Sequence, residues 1–138
     1  MASSVPAEAI ESRLRTLNPT SMPVYLWEEE MPEPSTIASK FIVLEFPGGG
    51  FAQQASMGAP GNNWWHEQAV FLLHVYYKTA SDTSQVRVDL DALAALFRGK
   101  QFDGVTCRAP NPPVPGDGRK GRWQAMSISV PYYYRLTA

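Results

Sequence analysis

The sequence predicts an α+β fold: a single mixed, mostly antiparallel β-sheet with two helices packed on one face and long inter-strand loops. Two observations carry this. Apolar residues recur at helical spacing in two separate stretches, near residues 5–17 and 86–97. The intervening and closing runs are instead rich in β-branched and aromatic residues, and are bounded by Gly, Pro and Asn clusters. The order of helix, strands, helix, strands suits one sheet with its helices on one side. At 138 residues the chain has the usual length of one domain, so residues 1–138 are read as a single unit.

Ser4 caps the first predicted helix, with Pro6 tolerated in its first turn. Val5, Ile10, Leu14 and Leu17 fall near one face, and Asn18-Pro19 ends the element. Val24–Trp27 is a short strand. The acidic segment after it is broken by Pro32 and Pro34, which predicts a loop. Phe41–Phe46 is a strand, and Pro47–Asn63 a long Gly-rich connection. Trp64–Lys78 is the longest predicted strand. Val86, Leu90, Leu93, Ala94 and Phe97 predict the second helix, capped near Ser81, Asp82 or Ser84 and stopped at Gly99. Asp89 and Asp91 are placed on its outer face. Val105–Ala109 is a strand, and the Pro-rich segment after it a loop that ends basic. Trp123–Leu136 closes the chain as a strand, with Pro131 expected at an edge or a bulge.

The segment GNNWWHEQAVFLLHVYYK contains both histidines of the chain. On one strand His66 and His74 share a face but are eight residues, or about 26 Å, apart, too far to bind one metal. Glu67 points away from His66, so the pair forms no dyad by itself. The odd positions of this strand are apolar beyond Glu67 and suit a core face. The even positions, including Val70, Leu72 and Tyr76, are too apolar for a solvated face, and such patches often mark interfaces. Met126, Ile128, Val130 and Tyr132 repeat the theme on one parity of the last strand. Fifteen extended residues span roughly 50 Å, more than the diameter of a compact chain of this size, so the long strand is expected to bend or to overhang as an arm.

Composition narrows the function classes. Hydrophobic residues make up 44% and the net charge is −1, which disfavours global disorder and bulk-charge binding of nucleic acid. With one cysteine, Cys107, no intrachain disulfide and no paired-cysteine zinc site is available. No apolar run approaches the roughly 20 residues of a membrane span, and no secretory leader is visible. A soluble protein of a reducing cytoplasm is expected. No nucleophile elbow, zinc-protease pair, phosphate-cradling loop or dinucleotide fingerprint occurs. Cys107 stands beside Arg108, which could lower its pKa, but a buried, inert thiol is the favoured reading. Glu28, Glu29, Glu30 and Glu33 form an acidic run, read first as a solvated face. A head-to-tail ring could join it to Arg119, Lys120 and Arg122 of a neighbour.

The phrases LRTLNPTSMPVYLWEEE, FIVLEFPGGGFAQQASMG, HEQAVFLLHVYYKTASDTSQ leading into VRVDLDALAALFRGKQFDG, and GRWQAMSISVPYYYR together resemble the tail terminator (tail completion) proteins of long-tailed bacteriophages and related tailed particles. The resemblance spans nearly the whole chain. It implies a non-enzymatic virion protein, without cofactor, catalytic residues or metal. Such a protein forms a ring, typically a hexamer, that caps the tail tube, ends its polymerisation and offers a surface for head joining. The implied partners are other copies of the chain, the major tail tube protein and the head–tail connector or neck protein, with no sequence-specific nucleic acid and no membrane. The implied location is the head-proximal end of the virion tail, after assembly in the host cytoplasm. Glu28, Glu29, Glu30, Glu33, Phe51, Met57, Trp64, His66, Tyr76, Arg119, Lys120 and Arg122 are the candidate contact residues. The alternatives are a neck or head-closure connector, and a small metal-dependent or hydrolytic enzyme using His66 and Glu67.

Overall fold

The computed structural model describes residues 4–20, 22–27, 40–47, 51–56, 64–77, 83–115 and 124–137. Two helices, α1 (Ser4–Leu17) and α2 (Thr83–Phe97), accompany a mixed sheet. Its strands are β1 (Val24–Leu26), β2 (Lys40–Glu45), β3 (Phe51–Ser56), β4 (Trp64–Tyr77), β5 (Gln101–Phe102), β6 (Val105–Cys107), β7 (Val114–Pro115) and β8 (Gln124–Thr137). The α+β class predicted from the sequence is therefore correct.

The backbone of the sheet is one long antiparallel pair. β4 and β8 run in unbroken register over their whole length, from Trp64↔Thr137 to Tyr77↔Gln124. Each of their outer edges is shared by two shorter strands. β2 lines β4 at residues 72–77 and β3 lines it at 64–68. β6 lines β8 at residues 132–134 and β7 at 126–127. β1 joins β2 in parallel and β5 joins β6, giving the order β1-β2-β4-β8-β6-β5. β4 is paired along both of its ends, so it is not a lone strand. Part of the predicted 47–63 loop is β3, which meets β4 through a register irregularity between Gln54 and Ser56.

Pro131 is not on an edge strand. It sits mid-strand, opposite Val70, in the gap between β6 and β7. Its carbonyl accepts the Arg108 N–H at 2.8 Å. In an antiparallel strand a residue's N and C=O face the same neighbour, so the donor that proline lacks faces this gap rather than β4. Asn111 closes the gap. Its N–H donates to the Ser129 carbonyl at 3.1 Å, and its Oδ1 accepts from the Ser129 backbone N–H and hydroxyl.

The main core takes one parity from each long strand. Phe71, Leu73, Val75 and Tyr77 of β4 join Met126, Ile128, Val130 and Tyr132 of β8. The same cluster draws Ile42 and Leu44 from β2, Ala9, Ile10 and Leu14 from α1, and Val86, Leu90, Leu93, Ala94 and Phe97 from α2. The β8 residues that suggested a second sticky face thus face the core. In α1 the buried residues are Pro6, Ala9, Ile10 and Leu14, whereas Val5 and Leu17 are 49% and 51% exposed. Pro6, Ile10 and Leu14 recur every four residues, and Val5 lies one step of about 100° from that line. After α1, Asn18 Oδ1 accepts the Thr20 N–H, and its Nδ2 donates to the Met22 carbonyl at 3.0 Å. This turn returns the chain and seats Met22 in the core.

α2 ends where Gly99 takes φ +64, the left-handed conformation suited to a helix stop. Asp89 is not on a solvated face as expected, since it accepts from Lys40 Nζ at 2.9 Å and ties α2 to β2. The β5–β6 hairpin turns through Asp103-Gly104, with φ of 47 and 83. A Cβ on Gly104 would lie 3.0 Å from the Tyr134 ring, so both conformation and space select glycine. Arg13 fastens α1 to this corner. Its Nε donates to the Leu96 carbonyl at 3.0 Å, and its guanidinium lies 4.9 Å from the Phe102 ring centroid.

Candidate functional site: the sheet face opposite the main core

The even positions of β4 and odd positions of β8 lie opposite the main core. This face has two halves. In one, Phe41, Val43, Tyr76 and Ala125 form a second buried cluster, with Tyr25 packed on it. Tyr76 is only 4% exposed, and its ring stacks on Phe41 at 5.2 Å. That corrects its expected place on an open contact surface, because β2 supplies the ring that covers it. Burial, and then the Glu45 carboxylate, push the Tyr76 hydroxyl above its ordinary value.

Beside this cluster three polar side chains converge across three adjacent strands. His74 Nε2 lies 2.8 Å from Glu45 Oε2, and His74 Nδ1 lies 2.5 Å from Ser127 Oγ. The register brings them together, since His74 pairs Ser127 on one side and Val43 on the other. One ring proton on Nε2 satisfies both bonds: Nε2–H donates to Glu45, and Nδ1 accepts from the Ser127 hydroxyl. Serine, histidine and a carboxylate also build nucleophilic triads, but there the hydroxyl meets Nε2 and the carboxylate meets Nδ1. Here the order is reversed. Ser127 is also 7% exposed and lies mid-strand between paired neighbours. The arrangement cross-links three strands, with the Ser127 hydroxyl in a residue that is largely buried.

His66 belongs to the other half. Its Nε2 accepts from Arg135 Nε at 3.1 Å, and its ring lies 5.9 Å from that of Tyr133. Arg108 sits 5.3 Å from the centroid of the same Tyr133 ring. A hollow of about 420 Å³ adjoins this group, lined by residues that include Gln101, Asp103, Thr106, Tyr133 and Arg135. Glu67 faces the other side of the sheet, as strand geometry requires. Its carboxylate adds to the burial that raises the Tyr132 hydroxyl well above its ordinary value. Among the described residues, no three His, Cys, Asp or Glu side chains are grouped to hold a metal. No helix among them is long and apolar enough to cross a membrane.

Cys107 is 1% exposed within the main core. Burial pushes its thiol from 9.0 to about 12, and Arg13 offsets part of this. Arg108, the neighbour named from sequence, is not the cation that acts on it. Since the folded value lies above the unfolded one, the thiol's contribution to stability is complete below about pH 9. It is lost between about pH 9 and 12, at about 1.4 kcal/mol per pH unit. Cys107→Ala is therefore expected to cost more stability at pH 7 than at pH 10.5, read by urea midpoints. The folded thiol should resist a disulfide reagent at pH 8, and rapid labelling of the native protein would refute its burial.

Of the twelve predicted contact residues, only His66 and Tyr76 have described side chains. Phe51 and Trp64 are placed by backbone alone, in β3 and at the start of β4. Glu28, Glu29, Glu30, Glu33, Met57, Arg119, Lys120 and Arg122 lie outside the described residues. Three exposed apolar side chains on this face were not all anticipated: Trp27 at 50%, Val70 at 39% and Val114 at 46%. Trp27 flanks His74 at 5.7 Å, and Val114 pairs Ser127.

No family model and no curated protein matches the chain. A solved structure does. It covers 99% of this chain and 97% of its own, with a TM-score of 0.57 and 20% identity. The fold is shared from end to end. At that identity the likeness speaks for architecture alone.

Proposed function

We propose that this chain is a structural subunit of a tailed particle, of the tail-terminator kind, acting as a ring at the end of the tail tube. The observation that carries the reading is the placement of Trp27, Val70 and Val114 on the sheet face opposite the main core. In this reading both helices cover the same side of the sheet and leave the other for partners. Partly exposed apolar side chains on a sheet built around one long paired ladder suit protein contact. The sequence phrases that resemble tail terminators span the elements that frame this face.

A terminator needs no bond chemistry. It matches the tube on one side and offers no copy of the tube's own surface on the other. Several weak contacts on one rigid ring act together, so modest burial per subunit suffices. The test combines the chain with growing tail tubes and follows length by electron microscopy. Rings at one tube end and tubes of fixed length are the expected result. Monomers in solution beside bare, still growing tubes would overturn it. Rings bound to the head vertex but never to tubes would favour the neck-protein alternative.

A further inference from the structure

We infer that the Arg108–Tyr133–His66–Arg135 group is the docking site for the acidic run Glu28–Glu33 of a second copy of this chain. The inference rests on the ring-forming reading and names the contact that would build the ring. The site is organised before anything binds. Tyr133 is flanked by His66 and Arg108, and Arg135 is tied to His66. Both arginines are exposed. A guanidinium resting on an aromatic ring keeps its planar fork for a carboxylate at reduced entropic cost. Arg98 and Lys100 are also exposed, on the turn leading into β5. Asp103 is the acid among the described residues that line the adjoining hollow.

The occupant follows from charge and topology. Glu28, Glu29, Glu30 and Glu33 put four carboxylates within six positions, in a chain with 13 acidic residues in all. Trp27, the residue before this run, is held at the β1 edge by its N–H bond to the Leu44 carbonyl. The basic group lies further across the sheet: His66 is on β4, Tyr133 and Arg135 are on β8, and Arg108 follows β6. From β1 to β8 there are three strand spacings, about 14 Å. An acidic run that follows the β1 strand in sequence and a basic group on β4 and β8 are separate parts of the chain, which suits head-to-tail contact between copies. That contact is heterologous and closes into a ring when the rotation allows. The hollow beside Tyr133 has room for the side chains of a short extended segment.

The experiment uses the full chain at low salt, with association followed by sedimentation velocity. One variant carries Arg108→Glu and Arg135→Glu; the other carries Glu28→Lys, Glu29→Lys and Glu30→Lys. Arg108→Glu alone serves as a further variant, because Arg135 makes additional contacts. Each is expected to weaken association at least about tenfold while its melting curve stays that of the parent, since exposed charge pairs add little to folding. A 1:1 mixture of the two charge-reversed variants retains one intact acidic run and one intact basic site. The reversed sites are also complementary to each other, so the mixture should associate where neither variant does alone. Unchanged association in either variant, or no pairing in the mixture, overturns the inference. If the parent still forms rings in that case, the ring-forming reading survives. Loss of duplex DNA binding with association intact would instead mark the group as a phosphate site and also overturn it.

Discussion

Phe71→Ala should cost about 3–5 kcal/mol, while Val70→Asp, one residue earlier, should cost about 1 kcal/mol and abolish assembly. The contrast follows from strand alternation. Phe71 is 0% exposed and packs against Phe97 at 5.0 Å, Tyr132 at 6.0 Å and Phe46 at 6.3 Å. It stands where α2, β8 and the end of β2 meet, so truncation leaves a cavity bounded by the rigid β4–β8 pair. Domains of this size are stable by about 5–15 kcal/mol, so the variant would sit near the edge of folding. Val70 points the other way, is 39% exposed, and faces Pro131 across the central pair. A carboxylate there stays hydrated in the monomer but would be desolvated in a contact. Urea midpoints measure the first effect and electron microscopy of rings the second. Normal rings from Val70→Asp would remove this face from the interface. A loss below about 1 kcal/mol in Phe71→Ala would contradict the core described here.

The strands and helices that bury large apolar surface were the readable part of the sequence. The odd positions of β4 and the 86–97 periodicity give the core almost residue by residue, because burial imposes period 2 or 3.6 directly. What escaped depends on pairing. Asp103-Gly104 is a standard two-residue hairpin signal, and it forms the turn between β5 and β6. β3 and β7 are short and polar or Pro-rich, so only the long strands beside them make them strands. Pro131 looked like an edge marker, but an edge can be local: the gap between β6 and β7 supplies one inside a central strand. Glu45, His74 and Ser127 carry no spacing signal, since 29 and 53 residues separate the histidine from its partners. Their meeting is a consequence of register, which one sequence does not state. Tyr76 was misplaced for the same reason, since its cover, Phe41, arrives from another strand.

His74→Ala should cost about 2–3 kcal/mol, several times the effect of His66→Ala, although both histidines lie on the same face of the same strand. His74 is enclosed, with its side chain 14% exposed and both ring nitrogens engaged. Removing the ring strands two groups at once. The Ser127 hydroxyl lies in a residue only 7% exposed and cannot turn to water. Glu45 is 21% exposed at its side chain and recovers part of its hydration, which holds the total near the middle of the range. The Trp27 ring also loses a neighbour at 5.7 Å. Glu45→Gln should cost about 1 kcal/mol or less, because the amide oxygen still accepts from Nε2–H. Ser127→Ala should fall between the two, since it leaves only Nδ1 without a donor. His66 meets Arg135 in an exposed pair, so its loss should stay within about 0.5 kcal/mol. Urea unfolding of the four variants orders them directly. Equal losses for the two histidines would refute the enclosed cross-link. An ester-hydrolysis rate that vanished in Ser127→Ala while folding held would show that the three groups do chemistry after all.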